Sequence, residues 1–144
     1  MYIKDEQLKE LLVQSGLVTE SDFALASEQA KQKKMTLSDV LVENDLIQDS
    51  QLSQLIANEV GLPFIDLRHE KIDEKVLNLI PELVARNKGI IAFSRGSEGI
   101  KVGMINPDDM EIKHLLEKQF GEKVLPHYIS RRDLDESLLQ YKAS

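Results

Sequence analysis

Apolar positions in the first sixty residues repeat. Leu8, Leu11, Leu12, Val13, Gly16, Leu17 and Val18 return as Leu37, Val40, Leu41, Val42, Asp45, Leu46 and Ile47, and every pair lies 29 positions apart. The register continues into Ser21/Ser50 and Phe23/Leu52. A register kept through both apolar and turn positions predicts two copies of one helix–turn–helix unit sharing a core. Such a module suits holding something better than it suits catalysis.

Start and stop signals divide this stretch into four helices. The first runs from Asp5 to Ser15, with Leu8, Leu11 and Leu12 on one face and Gly16 as its terminator. Thr19-Glu20-Ser21-Asp22 opens the second as a capping box, with Phe23, Leu25, Ala26 and Ala30 as its buried positions. Thr36-Leu37-Ser38-Asp39 repeats that signal for the third. Gln48 or Asp49 begins the fourth, through Leu52, Leu55, Ile56 and Val60 to Gly61.

From Pro63 the period changes. Phe64-Ile65-Asp66-Leu67 reads as a short strand, Asp73 caps a helix containing Val76, Leu77 and Ile80, and Pro81 stands in the first turn of another that ends near Gly89. Ile90-Ile91-Ala92-Phe93 and Ile100 to Met104 flank Arg95-Gly96-Ser97-Glu98-Gly99, a hairpin-loop composition. Asn106-Pro107-Asp108-Asp109 caps a helix through Leu115, Leu116 and Phe120 to Gly121. Val124 to Ile129 is a strand, and Ser130-x-x-Asp133 opens the last helix. The fold class expected is α+β: residues 1–62 form a four-helix subdomain of two helix–turn–helix repeats, and residues 63–144 a small α/β subdomain whose short sheet is flanked by helices, joined through Gly61-Leu62-Pro63.

Charge changes the picture of partners. The net charge is −7, and residues 1–62 hold five Lys/Arg against eleven Asp/Glu while residues 63–144 hold thirteen against fourteen. Nucleic-acid binding needs a basic face for phosphates, and the acidic half offers the reverse. Lys31, Lys33 and Lys34 read as a solvated helix end where cations suit the dipole. The N-terminus turns charged without the apolar stretch of a secretory signal, and no apolar run approaches a membrane span. With no cysteine, disulfides, thiolate zinc sites and cysteine nucleophiles are excluded. A soluble, cytoplasmic chain is the expectation.

Catalytic constellations are missing. His69, His114 and His127 lie on different elements without ligand spacing, so no metal site is expected. No phosphate-cradling Gly-rich loop ends in Lys-Ser or Lys-Thr: Gly121-Glu122-Lys123 leads to Val124 and Gly99-Ile100-Lys101 to Val102. Asp109 is placed as a cap rather than as a general base. Arg131 and Arg132 fall in a first helical turn, against the dipole, where they stand as an exposed pair or a contact patch. No nucleophile, base and oxyanion site assemble, so no catalytic residue is assigned and the chain is read as a non-enzyme.

The repeat followed by Gly61-Leu62-Pro63-Phe64-Ile65-Asp66-Leu67, then Leu79-Ile80-Pro81-x-Leu83-x-Ala85-Arg86 and Val102-Gly103-Met104-x-Asn106-Pro107-x-Asp109, resembles the N-terminal domain of type II secretion and type IV pilus assembly ATPases, the GspE/PilB/MshE family. The resemblance runs from about Leu8 to Tyr141. It implies a regulatory piece that precedes a hexameric ATPase motor and docks it onto an inner-membrane platform protein, peripheral to that membrane through its partners. Neither membrane insertion nor nucleic acid enters this role. A free-standing adaptor is the alternative if no motor accompanies the chain.

The MshE subgroup of that family implies a second role, since its repeat binds cyclic di-GMP. Carried over by position, the candidate ligand-binding residues are Gln7, Leu8, Lys9, Leu12, Gly16, Val18, Thr36, Leu37, Ser38, Leu41 and Ile47. The apolar and turn positions match. The polar ones depart: Gln7 and Thr36 stand where Arg is expected, Lys9, Ser38 and Asp45 where Gly is expected, and Ala30 and Glu59 where Gln is expected. Arginine supplies bidentate bonds to phosphate and a plane for guanine that Gln and Thr lack, and Asp45 adds a repelling anion. The repeat is therefore expected to keep its structural job without tight cyclic di-GMP binding, and no cofactor is expected.

Overall fold

Two helices of the repeat begin where a hydroxyl takes the place of a missing carbonyl. The computed structural model describes residues 3–106 and 108–141; Pro107, part of the helix start read in the sequence, lies outside them. Thr19 Oγ1 accepts from the Asp22 N–H at 3.1 Å to start α2 (Glu20–Lys33), and Thr36 Oγ1 accepts from the Asp39 N–H at 3.2 Å to start α3 (Leu37–Glu43). α1 spans Asp5–Gln14 and α4 Asp49–Val60. The chain folds as two compact units, Ile3–Ile56 and Ala57 onward.

In the first unit the buried set follows the repeat: Leu8 and Leu37, Leu12 and Leu41, Val18 and Ile47, Phe23 and Leu52 are all buried. Leu25 is not, being 61% exposed. Phe23, Ala26 and Ala30 recur at helical spacing on α2, and Leu25 falls about 200° from Phe23 on the helical wheel, outside that stripe.

The second unit is a three-stranded sheet with helices packed around an aliphatic core. β1 (Ile90–Gly96) and β2 (Gly99–Met104) pair antiparallel, and β3 (Val124–Tyr128) joins β2 in parallel, giving the order β1-β2-β3. The parallel step demands a crossover, which α7 (Met110–Phe120) supplies. Among the core side chains, Ile90, Ile91 and Val102 come from the sheet, Ile112 and Leu116 from α7, and Leu134 and Leu138 from α8 (Arg131–Leu138). At Gly103 a Cβ would lie 2.6 Å from Ile129 Cγ2, so only glycine lets β2 pass beneath that side chain.

Several local expectations are corrected here. The hairpin is tighter than its loop composition suggests: Arg95, Gly96 and Gly99 are strand residues, Gly96 pairs with Gly99, and only Ser97 and Glu98 turn the chain. Phe64 to Leu67 is not a strand but a single bridge to Tyr128. The Tyr128 N–H donates to Pro63 O at 2.8 Å and the Ile65 N–H to Tyr128 O at 3.1 Å, after which the Leu67 N–H turns away to a side chain on α8. The helix after Asp73 stops at Leu77 (α5, Glu74–Leu77), short of Ile80, because a residue preceding proline resists the α conformation. Pro81 is the N-cap of α6 (Glu82–Lys88), with extended ψ, rather than a first-turn residue. Leu115 of α7 is exposed while Ile112 and Leu116 carry the packing.

Candidate functional site

The repeat reproduces its turn atom for atom. After α1 the Gly16 N–H donates to Val13 O and the Leu17 N–H to Leu12 O, each at 3.0 Å; after α3 the Asp45 N–H donates to Val42 O and the Leu46 N–H to Leu41 O, also at 3.0 Å. The residue at the turn takes a left-handed conformation in both copies, φ 77° at Gly16 and 57° at Asp45. Glycine adopts that geometry freely and aspartate at a cost.

The candidate ligand residues fall into two groups. Leu8, Leu12, Val18, Leu37, Leu41 and Ile47 are buried and build the core of the first unit. Gln7, Lys9, Gly16 and Thr36 are exposed and Ser38 is half-buried. Three of them have polar atoms engaged within the unit: Gln7 Oε1 accepts from the Lys4 N–H at 3.1 Å, Thr36 Oγ1 caps α3, and the Lys9 ammonium lies 3.7 Å from Glu20 Oε1. Nearby, Lys33 pairs with Glu43 at 3.4 Å and Asn44 Nδ2 donates to Gln29 Oε1 at 2.6 Å. These exposed contacts are individually weak.

In the second unit a strap, residues 67–72, is held by side chains of α8 and of the turn that follows it. The Leu67 N–H donates to Asp133 Oδ2 at 2.8 Å, the His69 N–H to Glu136 Oε1 at 3.2 Å and the Ile72 N–H to Gln140 Oε1 at 2.9 Å, while Gln140 Nε2 donates back to Glu70 O at 2.9 Å. Asp133 and Glu136 are three apart on α8, the helical spacing that brings side chains to one side, and Gln140 follows in the turn beyond. Just beyond, the Tyr141 hydroxyl lies 2.6 Å from Ile80 O and 3.1 Å from Leu77 O, and desolvation first, then Glu82, pushes its pKa up to about 12. Between strap, α5 and α8 lies an open groove of about 1260 Å³, with exposed Leu139 on its rim.

Sequence reasoning missed this tether. Ser130 and Asp133 read as a cap, and the Ser130 Oγ does accept from the Asp133 N–H at 3.1 Å. The Asp133 carboxylate, however, is buried and serves the strap, a partnership across 66 positions that no local pattern announces.

The histidines stand apart, His69 on the strap, His114 on α7 and His127 on β3, where its ring meets Phe93 edge-on at 5.2 Å. Among the described residues no group of His, Cys, Asp or Glu could hold a metal ion. The Glu117 carboxylate accepts from the Val124 N–H at 3.0 Å, which chiefly holds its pKa below the ordinary value, and Arg95 holds Glu122 low in the same way.

Comparison with known proteins places this architecture. The family model of the MshEN domain matches residues 60–144. The type IV pilus assembly ATPase PilB of Thermus thermophilus is 28% identical over 131 residues, 90% of this chain and 15% of that protein. PilB of Myxococcus xanthus is 23% identical over 137 residues, 95% of this chain and 24% of that protein. The chain thus spans a quarter or less of the length of these curated relatives. Among solved structures, MshE with cdg (cyclic di-GMP) matches with a TM-score of 0.67 at 25% identity, covering 94% of this chain and 98% of that one. The N-terminal domain of XpsE matches in fold, with a TM-score of 0.63 at 16% identity and 99% of both chains covered.

A helical repeat followed by a small α/β unit is the architecture of an N-terminal domain of secretion and pilus ATPases, as the Gly61 to Leu67 segment implied. The chain belongs to the MshEN domain family. The matched span takes in the whole sheet and the strap, while the helical repeat lies before it, save Val60 at the end of α4.

Proposed function

We propose that this chain is the docking and regulatory domain of a secretion or pilus assembly ATPase, binding a platform protein at the cytoplasmic face of the inner membrane and leaving ATP turnover to a motor domain. The observation that carries this reading is the family match together with the PilB relatives. Among the described residues no helix is long and apolar enough to cross a membrane, so attachment would run through a partner. The test is co-purification of the full-length protein with inner-membrane components. Deleting residues 1–144 should abolish co-purification, and retention after deletion would remove the docking role.

A second reading, a cyclic di-GMP receptor, is favoured by the likeness to MshE with its bound ligand. Against it stand the engaged side chains: Thr36 caps its helix, Gln7 closes the start of α1, and Lys9 sits beside Glu20. Binding two phosphates would require breaking those contacts and tolerating the Asp45 anion at the turn. The repeat is read as structural, without tight affinity for the dinucleotide. Titration calorimetry decides: heat absent at micromolar ligand agrees with this reading, and sub-micromolar binding sinks it.

A further inference from the structure

The second unit carries a smaller pocket, about 380 Å³, where the end of α6, the loop after β2 and the first turn of α8 converge. Its rim is cationic, with Arg86 and Lys88 from α6 and Arg131 from α8; Asp135 is the one carboxylate in its lining. Beneath the cations Ile105 is half-buried, while Leu134 and Leu138, 2% and 5% exposed, belong to the core. In a chain of net charge −7, three cations around one hollow invert the local sign.

Helix stability explains only part of that. Arg86 and Lys88 close α6, where the dipole favours cations, and Arg86 already donates to Glu82 Oε2 at 2.8 Å. Arg131 opens α8, where the dipole opposes it. Among the described residues no carboxylate lies within ion-pair distance of Lys88 or Arg131. Three residues before Arg86 on the same side of α6, Leu83 is 70% exposed. Unpaired cations beside apolar surface form a mixed contact face.

We propose that this pocket docks an extended acidic segment of a protein partner, its carboxylates meeting Lys88 and Arg131 and an apolar side chain beside them lying on exposed Leu83. The proposal rests on the docking role above and names the chemistry of the partner. Free phosphate would satisfy the cations but leave Leu83 in water. Pockets for small ligands run about 300–1,000 Å³, so this volume takes a few side chains rather than a helix. Opposite charge at such a face chiefly sets specificity and association rate.

Fluorescence anisotropy of the purified chain with a labelled hexapeptide of alternating aspartate and leucine tests the proposal. Lys88→Glu with Arg131→Glu should weaken binding about ten-fold or more, as should replacing every peptide aspartate by asparagine. The gentler pair Lys88→Gln and Arg131→Gln should give a smaller loss in the same direction with unchanged urea unfolding. Lys31→Glu with Lys33→Glu, at the other basic cluster, should change nothing. Equal affinity in both double variants overturns the proposal, and so does complete displacement by inorganic phosphate, which would make the pocket a plain anion site. Membrane co-purification of the full-length protein separates the two levels. If it survives the charge reversal but not deletion of residues 1–144, docking stands and this pocket is not its seat; if it survives both, docking itself fails.

Discussion

Replacing Asp133 by alanine should loosen the strap and destabilise the second unit. The carboxylate is buried, 2% exposed, and accepts from the buried Leu67 N–H at 2.8 Å. Truncation removes a hydrogen bond to a charged group, which contributes about 1.5–3 kcal/mol, and leaves a donor with nowhere to turn. Relief from burying the charge offsets part of this, so a net loss of about 2–4 kcal/mol is expected, a large share of the roughly 5–15 kcal/mol of a typical domain. Glu136→Ala breaks the corresponding bond to His69 at an exposed site, where water replaces it, and should cost less than about 0.5 kcal/mol. Urea unfolding gives the totals, and amide hydrogen exchange at Leu67 gives the local effect, with protection falling in Asp133→Ala and holding in Glu136→Ala. If Asp133→Ala loses under about 1 kcal/mol, or Leu67 exchange is unmoved, the tether is not what holds the strap.

Four further outcomes follow from the same reasoning. Asp45→Gly should stabilise the first unit by about 0.5–1 kcal/mol in thermal unfolding, because φ 57° strains aspartate and not glycine, whereas Gly16→Ala at the equivalent turn should destabilise it by about as much. Gly103→Ala should cost about 1–3 kcal/mol through the clash with Ile129 Cγ2, and because Ile129→Ala removes that carbon, the double variant should lose less than the sum of the two single losses. In acid, the contribution of Glu117 is present above its unfolded pKa, near 4.5, and is lost as pH falls through the lower folded value; Glu117→Gln should flatten that limb of the urea midpoint against pH. In alkali the sign reverses for Tyr141: its contribution is complete below pH 10 and is lost as pH rises toward about 12, and Tyr141→Phe should remove that alkaline dependence.

Much of the fold was legible because its signals are local. A threonine three residues before an aspartate starts a helix through one hydrogen bond, as Thr19 and Thr36 do. Within the constant register, Leu8/Leu37, Leu12/Leu41, Val18/Ile47 and Phe23/Leu52 marked buried positions because both copies solve one packing problem, whereas Leu17 of the same register is exposed. Where the reading slipped, a distant partner intervened. Phe64 to Leu67 has strand composition, yet its pairing ends when Asp133 takes the Leu67 N–H. Leu25 and Leu115 have core composition, yet the helical stripe passes them by.

By itself, then, the sequence determined the two-part α+β architecture, the repeat and the family, since spacing, caps and the Gly61 to Leu67 segment depend on neighbours along the chain. Only the tertiary structure decided what the polar side chains do across long stretches of chain. It set Lys9 beside Glu20, placed Asp133, Glu136 and Gln140 on the strap, and gathered Arg86, Lys88 and Arg131 at one hollow. The physical reason is range. Apolar periodicity reports which face is buried, while a hydrogen bond or ion pair forms only when folding brings two groups within about 3–4 Å, whatever their separation in the chain.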